Sequence, residues 1–439
     1  MTRRYRDEFL LSSSIALGLG VSTGHPLGMM AAAGMPLACL ALDTREGALK
    51  SAFGYYAAAL WPMISGLEAY WKSEIPIMPI VLWVLTAILL SVPWAISWTS
   101  NRVHCLWRAP LALLATILPP LGIIGLASPV NGAGFIFPGA DWVGLALIGL
   151  LPGVILSTQA LETRHRWSVL CFTIASCTAV GLAARMLCTL DADRPAGWAA
   201  VDTHFGDVSQ PFRDFAAAQF IQKEAGVSRS RVVIFPESVV PRWSEATKAF
   251  WGQSLDQCRR RGQMLAIGAG LPANNGSRSD KVRRLNELKS YDFDAAIGAL
   301  KSMNLHPGSH GWSQSGQIKA AIPPADNTML VLGAESAAFY QRVPIPLAMW
   351  RPFSIDSVPL RLGAPGVLLI DHQRAAVLIC YEQMLTYPIL SSMLQHPTVI
   401  VGISNTFWIS HTTIPRYQAN ALRSWARLFR LPYLSAVNS

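Results

Sequence analysis

The chain has 439 residues, of which 51% are hydrophobic and only 14% charged, with a net charge of +10. Soluble domains carry about 25% charged residues, so this composition excludes a disordered chain, a collagen and a simple soluble enzyme, and points to a membrane protein at least in part. The charge is uneven: residues 1–190 hold 11 Lys and Arg with 8 Asp and Glu, whereas residues 191–439 hold 25 and 18. A polytopic α-helical membrane domain (1–190) followed by a water-soluble domain (191–439) is therefore expected.

In chain order, apolar segments fall at 9–23, 26–42, 52–67, 75–98, 107–127, 134–158 and 167–190. The last four are long enough to span about 30 Å of hydrocarbon, while the first three are short or broken by Gly and Pro. A cleaved signal peptide is the alternative for 1–33, because Arg3, Arg4 and Arg6 precede an apolar run. With seven spans and the N-terminus inside, Arg3, Arg4, Arg6, Arg45, Lys50, Arg102, Arg108, Arg164 and Arg166 fall on the inner side and Lys72 on the outer, with Arg185 against the trend. Cytoplasmic loops concentrate Lys and Arg. The expected topology is thus a bacterial inner membrane protein with a cytoplasmic N-terminus and residues 191–439 in the periplasm. The 15 tryptophans fit interfacial anchors.

The second half alternates strand-like runs at 231–235, 264–268, 329–332, 366–370, 376–380 and 398–403 with helical patterns at 211–225, 244–261 and 417–431. This alternation predicts an α/β layered fold. The polar stretch 273–326 is too long for a plain loop and reads as an insertion or cover near the site. The seven cysteines form neither a disulfide framework nor a CxxC, and no metal-type Cys/His cluster is present. The basic residues are scattered, apart from Arg259–Arg261 and Arg283–Arg284, so no cofactor, metal or nucleic acid is expected.

Candidate chemistry stands at strand ends. Glu237 in FPES follows one apolar run, and Cys380 in LICYE ends another. A thiol needs a base to become a nucleophile, because little of it is thiolate at neutral pH. Glu237 is the candidate base, and a cation or backbone N–H groups would hold the oxyanion. Taken alone, a Cys closing an apolar strand is more often a packed core residue, and Glu382 a cap.

The order FPES, ICYE, SNTFW resembles the nitrilase (carbon–nitrogen hydrolase) superfamily, and with the apolar first half it looks most like apolipoprotein N-acyltransferase. WAAVDTHFG at 198–206, LAIGAGLP at 265–272 and the closing stretch 397–439 extend the resemblance along most of the chain. It implies an αββα sandwich with a Glu–Lys–Cys triad. Glu237 matches the base, Cys380 the nucleophile that becomes a thioester, Glu382 a supporting carboxylate, and Asn405, Trp408 and Tyr381 the lining of the site. The lysine is missing: Gln341 stands at its position, followed by Arg342, which could supply a cation by swinging in, and Met349 stands where a second glutamate is expected. The chain also ends at Ser439, where the acyltransferase continues into a last span. A shortened, lysine-less member of the group resembles conjugal transfer proteins of Agrobacterium-type plasmids.

The expected function is a membrane-embedded acyltransferase or amidase forming a thioester on Cys380, with membrane lipid as acyl donor, linked to plasmid transfer. The alternative is a catalytically impaired membrane component that binds a conjugation or envelope protein. A transporter fits less well, because the first half lacks paired buried charges.

Overall fold

A computed structural model describes residues 3–71, 77–161, 163–187, 193–208, 213–272, 325–352 and 357–439. All but the last two residues of the expected insertion 273–326, and Lys72, lie outside these.

Each expected apolar segment contains helix; the helices Arg3–Ser22 and Thr163–Leu187 are longer than their segments, while the others are shorter or broken. Helix α1 (Arg3–Ser22) is followed by α2 (Pro26–Ala31) and α3 (Met35–Leu40), separated by the 3-10 turn Ala32–Gly34. The third segment is divided into α4 (Arg45–Leu60) and α5 (Pro62–Trp71). Pro62 cannot donate to the preceding turn but fits the first helical position. Helix α6 (Met78–Ser97) runs uninterrupted. Helix α7 (Cys105–Ile117) is shorter than the expected span 107–127, because Pro119 and Pro120 cannot continue it. An irregular stretch carrying α8 (Ala133–Ile136) leads to α9 (Asp141–Ser157) and α10 (Thr163–Leu187). Among the described residues, Met78–Ser97 and Asp141–Ala160 are long and apolar enough to cross a bilayer by length and composition.

The second half is mixed α/β. One sheet has the order β1 (Trp198–Ala200), β2 (Val232–Ile234), β3 (Met264–Pro272), β4 (Ala325–Gly333), β5 (Ala337–Tyr340). The other runs β6 (Val367–Ile370), β7 (Gln373–Ile379), β8 (Val399–Asn405), β9 (Tyr433–Asn438). Strands β1–β2–β3 and β7–β8–β9 pair in parallel. Helices α11 (Arg213–Val227) and α12 (Glu245–Arg260) cover the first sheet, and α13 (Thr386–Met393) and α14 (Ile414–Phe429) the second.

The period of two in the strands builds these layers. Val232, Ile234, Met264 and Ala266 face Val377, Ile379, Val401 and Ile403 across the space between the sheets. Val233, Phe235, Leu265 and Ile267 face α11 and α12. Ser244 caps α12 by accepting from the Thr247 N–H at 3.2 Å, with Glu245 in the first turn and Arg259 and Arg260 in the last, as the helix dipole favours.

The two halves share a core. Ala376, Leu378 and Ile400, the outward residues of the second sheet, cluster with Leu385 just before α13 and Ile389 within it, Tyr417, Leu422 and Trp425 of α14, and Tyr55, Trp94 and Phe135 of the helical half. Asn131 anchors the seam: its amide donates to the Tyr417 hydroxyl at 2.7 Å and the Met384 carbonyl at 3.0 Å, and its Oδ1 accepts from Thr386 at 2.8 Å. Gly134 touches α14 so closely that a Cβ there would lie 1.7 Å from the Ser424 carbonyl oxygen.

This contact predicts that Gly134→Ala destabilises the chain by about 3 kcal/mol through overpacking. Gly252, in mid-α12, has no atom within 4 Å of a built Cβ, so Gly252→Ala should stabilise by about 1 kcal/mol. Thermal unfolding of the two variants in detergent checks both signs.

Candidate active site

The site forms where strands of both sheets end. Glu237 follows β2 in a turn that Ser238 completes with φ +55, a left-handed conformation unusual for a residue with a side chain. Gly268 on β3 makes the turn possible, since a Cβ there would lie 2.3 Å from the Pro236 oxygen and 2.4 Å from the Glu237 Cα. Cys380 follows β7 with φ +50 and opens the 3-10 turn Cys380–Met384. A left-handed position of this kind persists only when its surroundings over-determine it.

Those surroundings are explicit. The fully buried Glu382 carboxylate reaches back to accept the Ile379 N–H at 3.0 Å, and takes the N–H groups of Arg342 and Val343 at 2.6 and 2.9 Å. Gln418 of α14 donates to the Cys380 carbonyl at 2.9 Å. The turn is thereby tied to the segment after β5 and to α14.

Glu237 is buried next to the Cys380 thiol. Its Oε2 accepts the Asn405 N–H at 2.8 Å, and its Oε1 accepts from the Asn327 amide. Burial holds the Glu237 carboxyl above the usual carboxylate range. The bonds from Cys380, Asn327 and Asn405 oppose this, and the nearby Glu382 charge adds to it. Burial, followed by the Glu237 charge, pushes the Cys380 thiol well above its ordinary value, while the Asn405 and Tyr381 N–H groups favour the thiolate. Burial thus disfavours the charged form of both groups, and the thiol needs a base beside it to lose its proton.

The other expected residues divide. Gln341 is buried beside the pair, accepting from Asn327 at 3.2 Å and donating to the Ile379 carbonyl at 3.2 Å. Arg342, expected as a cation that could swing into the site, points the opposite way. Its guanidinium donates to Ser391 of α13 at 2.9 Å, lies 5.7 Å over the Phe339 ring and sits 3.8 Å from Glu382. Successive residues of an extended chain face opposite sides, so with Gln341 turned inward Arg342 must turn outward. Burial lowers the Arg342 pKa, against the Glu382 charge that raises it. Met349 closes a tight turn, its N–H donating to the Ile345 carbonyl at 2.9 Å. Asn405 contributes its backbone N–H, while its side-chain oxygen accepts from Asn438 at 2.9 Å. Tyr381 donates to the Ile123 carbonyl at 3.0 Å, binding the site to the helical half.

Cys380 opens onto a cavity of about 400 Å³. Tyr381 and Trp408 wall it near the thiol, with Ile345, Leu347 and Trp350 of the loop that would carry the second glutamate. Leu60, Met63, Leu67, Leu82 and Ile124 of the helical half complete it, and among the described residues no charged side chain lines it. Asn327 escaped the sequence reading. In the sequence it stands between Asp326 and Thr328, ahead of the apolar run 329–332, and its partner Glu237 lies 90 positions away. Among the described residues no cluster of His, Cys, Asp and Glu could hold a metal ion.

No family model matches the chain. Over 457 residues it is 27% identical to a probable conjugal transfer protein TraB of Sinorhizobium fredii, covering 99% of this chain and 98% of that one. Over 460 residues it is 25% identical to the conjugal transfer protein TraB of Agrobacterium fabrum, covering 99% and 94%. Among solved structures, a cysteine mutant of a Nesterenkonia amidase from the nitrilase superfamily matches with TM-score 0.29 and 11% identity over 49% of this chain and 67% of that one. The Caenorhabditis elegans NitFhit protein matches with TM-score 0.32 and 15% identity over 55% and 50%. The similarity to TraB proteins thus runs the length of the chain.

A raised carboxyl binds its proton more tightly in the folded chain than in the unfolded one. The stability this confers is complete below the ordinary carboxylate value and is lost as pH rises through the raised one. Glu237→Gln should therefore raise the thermal midpoint relative to wild type at pH 8. The difference should narrow as pH falls toward the ordinary carboxylate range, which a pH series of unfolding curves measures.

Proposed function

We propose that the chain is a nitrilase-like membrane protein of plasmid conjugation that carries acyl groups as a thioester on Cys380. One observation carries this reading: a cysteine beside a buried glutamate lines a cavity walled by apolar side chains of the helical half. An acyl chain fits such walls, because burying each methylene in them contributes about 0.8 kcal/mol.

Membrane embedding is supported by the outer helix faces. Val81, Leu85, Ile88, Val92 and Ile96 form an exposed apolar stripe on α6, and Trp107, Leu111, Leu114 and Leu118 continue one along α7. Spacing by three and four places each set on one side of its helix. Exposed apolar surface of this extent calls for a nonaqueous partner, and lipid matches the length of α6. Leu85 and Leu89 line the cavity and are also exposed on α6, so a lipid chain could enter beside that face. The excess of Lys and Arg on alternate loops supports a cytoplasmic N-terminus and a periplasmic α/β domain.

In the reaction, Glu237 takes the thiol proton as sulfur attacks the ester carbonyl of a membrane lipid. The C–S bond forms, the C–O bond breaks, and Glu237 returns the proton to the departing oxygen. An amine or water then attacks the thioester and releases Cys380 with its proton. The second reading, a non-catalytic component that docks a conjugation or envelope protein, draws on the neutral Gln341 and the outward Arg342. The similarity to TraB proteins supports the link to conjugation under either reading.

Plasmid transfer from a donor lacking the chain and complemented with variants separates the two. Cys380→Ala and Glu237→Gln, at wild-type protein levels, should lower transfer to that of the deletion. Full transfer by both variants would leave only the docking role.

A further inference from the structure

Asn327 and Gln341 sit between the two reacting groups, both at least nine-tenths buried. Asn327 lies on β4 opposite Gly270, and Gln341 directly follows β5, its N–H donating to the Asn327 carbonyl at 2.9 Å. The Asn327 amide nitrogen spends both hydrogens, one on Glu237 Oε1 and one on Gln341 Oε1. Gln341 in turn presents its own nitrogen to the carbonyl of Ile379, the residue before Cys380.

The direction of this chain is fixed. Turning the Asn327 amide over would set its oxygen against two acceptor oxygens. In the observed direction Asn327 Oδ1 is buried with no partner among the described residues, although a lost partner for a buried acceptor costs about 1–3 kcal/mol. The amide is thus set by the carboxylate and not by its own satisfaction. With Oε2 held by the Asn405 N–H and Oε1 by the Asn327 amide, both Glu237 oxygens are oriented beside the thiol.

We propose that Asn327 and Gln341 act together as a neutral positioning relay, one end holding the Glu237 carboxylate and the other the backbone entering the Cys380 turn. The relay does the orienting work of a lysine without adding a charge. Glu237 thereby remains a titrating base, matched to a thiol that gives up its proton only when attack occurs. The titratable groups facing Glu237 are Cys380 and, farther off, Glu382, both in the turn after β7; β4, β5 and β8 contribute only the neutral Asn327, Gln341 and Asn405.

The inference rests on the acylation reading for its purpose, but its test does not depend on acylation. The full chain in detergent is alkylated with iodoacetamide over a pH series, and modification of Cys380 is followed by peptide mass spectrometry. Difference infrared spectra, with Glu237→Gln as the blank, give the protonation midpoint of the Glu237 carboxyl. Asn327→Leu should move both midpoints to higher pH and slow alkylation by about 10- to 100-fold, the range for one hydrogen bond to a charged group. Gln341→Met, which leaves the donors of Glu237 in place, should shift the alkylation profile the same way by less. Unchanged midpoints in variants that unfold at the wild-type temperature would overturn the relay. Shifted midpoints in a protein that takes no acyl group from lipid would support the relay and refute the acylation reading.

Discussion

The buried carboxylate of Glu382 is the constraint on which the site depends. It accepts three backbone N–H groups, one from the residue before Cys380 and two from the segment after β5, so it joins the ends of the two sheets. Without that join the left-handed Cys380 has no reason to hold its conformation. The charge is tolerable at full burial because Arg342 lies beside it and every contact is a donor. Arg342 is thus part of the frame that shapes the turn, and its charge is spent on Glu382, away from the sulfur.

A division of labour follows. The polar groups concentrate on one side of Cys380, in a network running from Asn405 through Glu237 and Asn327 to Gln341. The other side is apolar, walled by the helical half and the loop around Pro346. Low polarity strengthens the hydrogen bonds within the network and raises the energy of any charge left unpaired. The seam of Asn131, Gly134 and α14 keeps the two sides in register, which makes the helical half part of the site.

Much of this was legible in the sequence. The runs RVVIF, LAIGAG and AAVLIC became β2, β3 and β7 because buried strands show as continuous apolar stretches, and Glu237 and Cys380 met because both follow strand ends. What was not legible depended on side-chain direction or on distance along the chain. Arg342 and Gln341 are adjacent, and only the pleat decides which one enters the site. Asn327 reads as an ordinary polar residue until β4 is seen pairing with β3 and facing Glu237. The helical half shows the limit of apolar segments as rulers: Pro62 and the Pro119–Pro120 pair cut helices inside stretches that hydropathy alone counts as continuous.

The central claim is that Cys380 accepts an acyl group although no lysine stands beside it. Intact-protein mass spectrometry after incubation with phospholipid vesicles tests this most directly. A fatty-acyl mass addition that hydroxylamine removes, and that Cys380→Ala does not acquire, is the predicted result. An unmodified mass, alongside a lipid-dependent acyltransferase that is acylated under the same conditions, would contradict it.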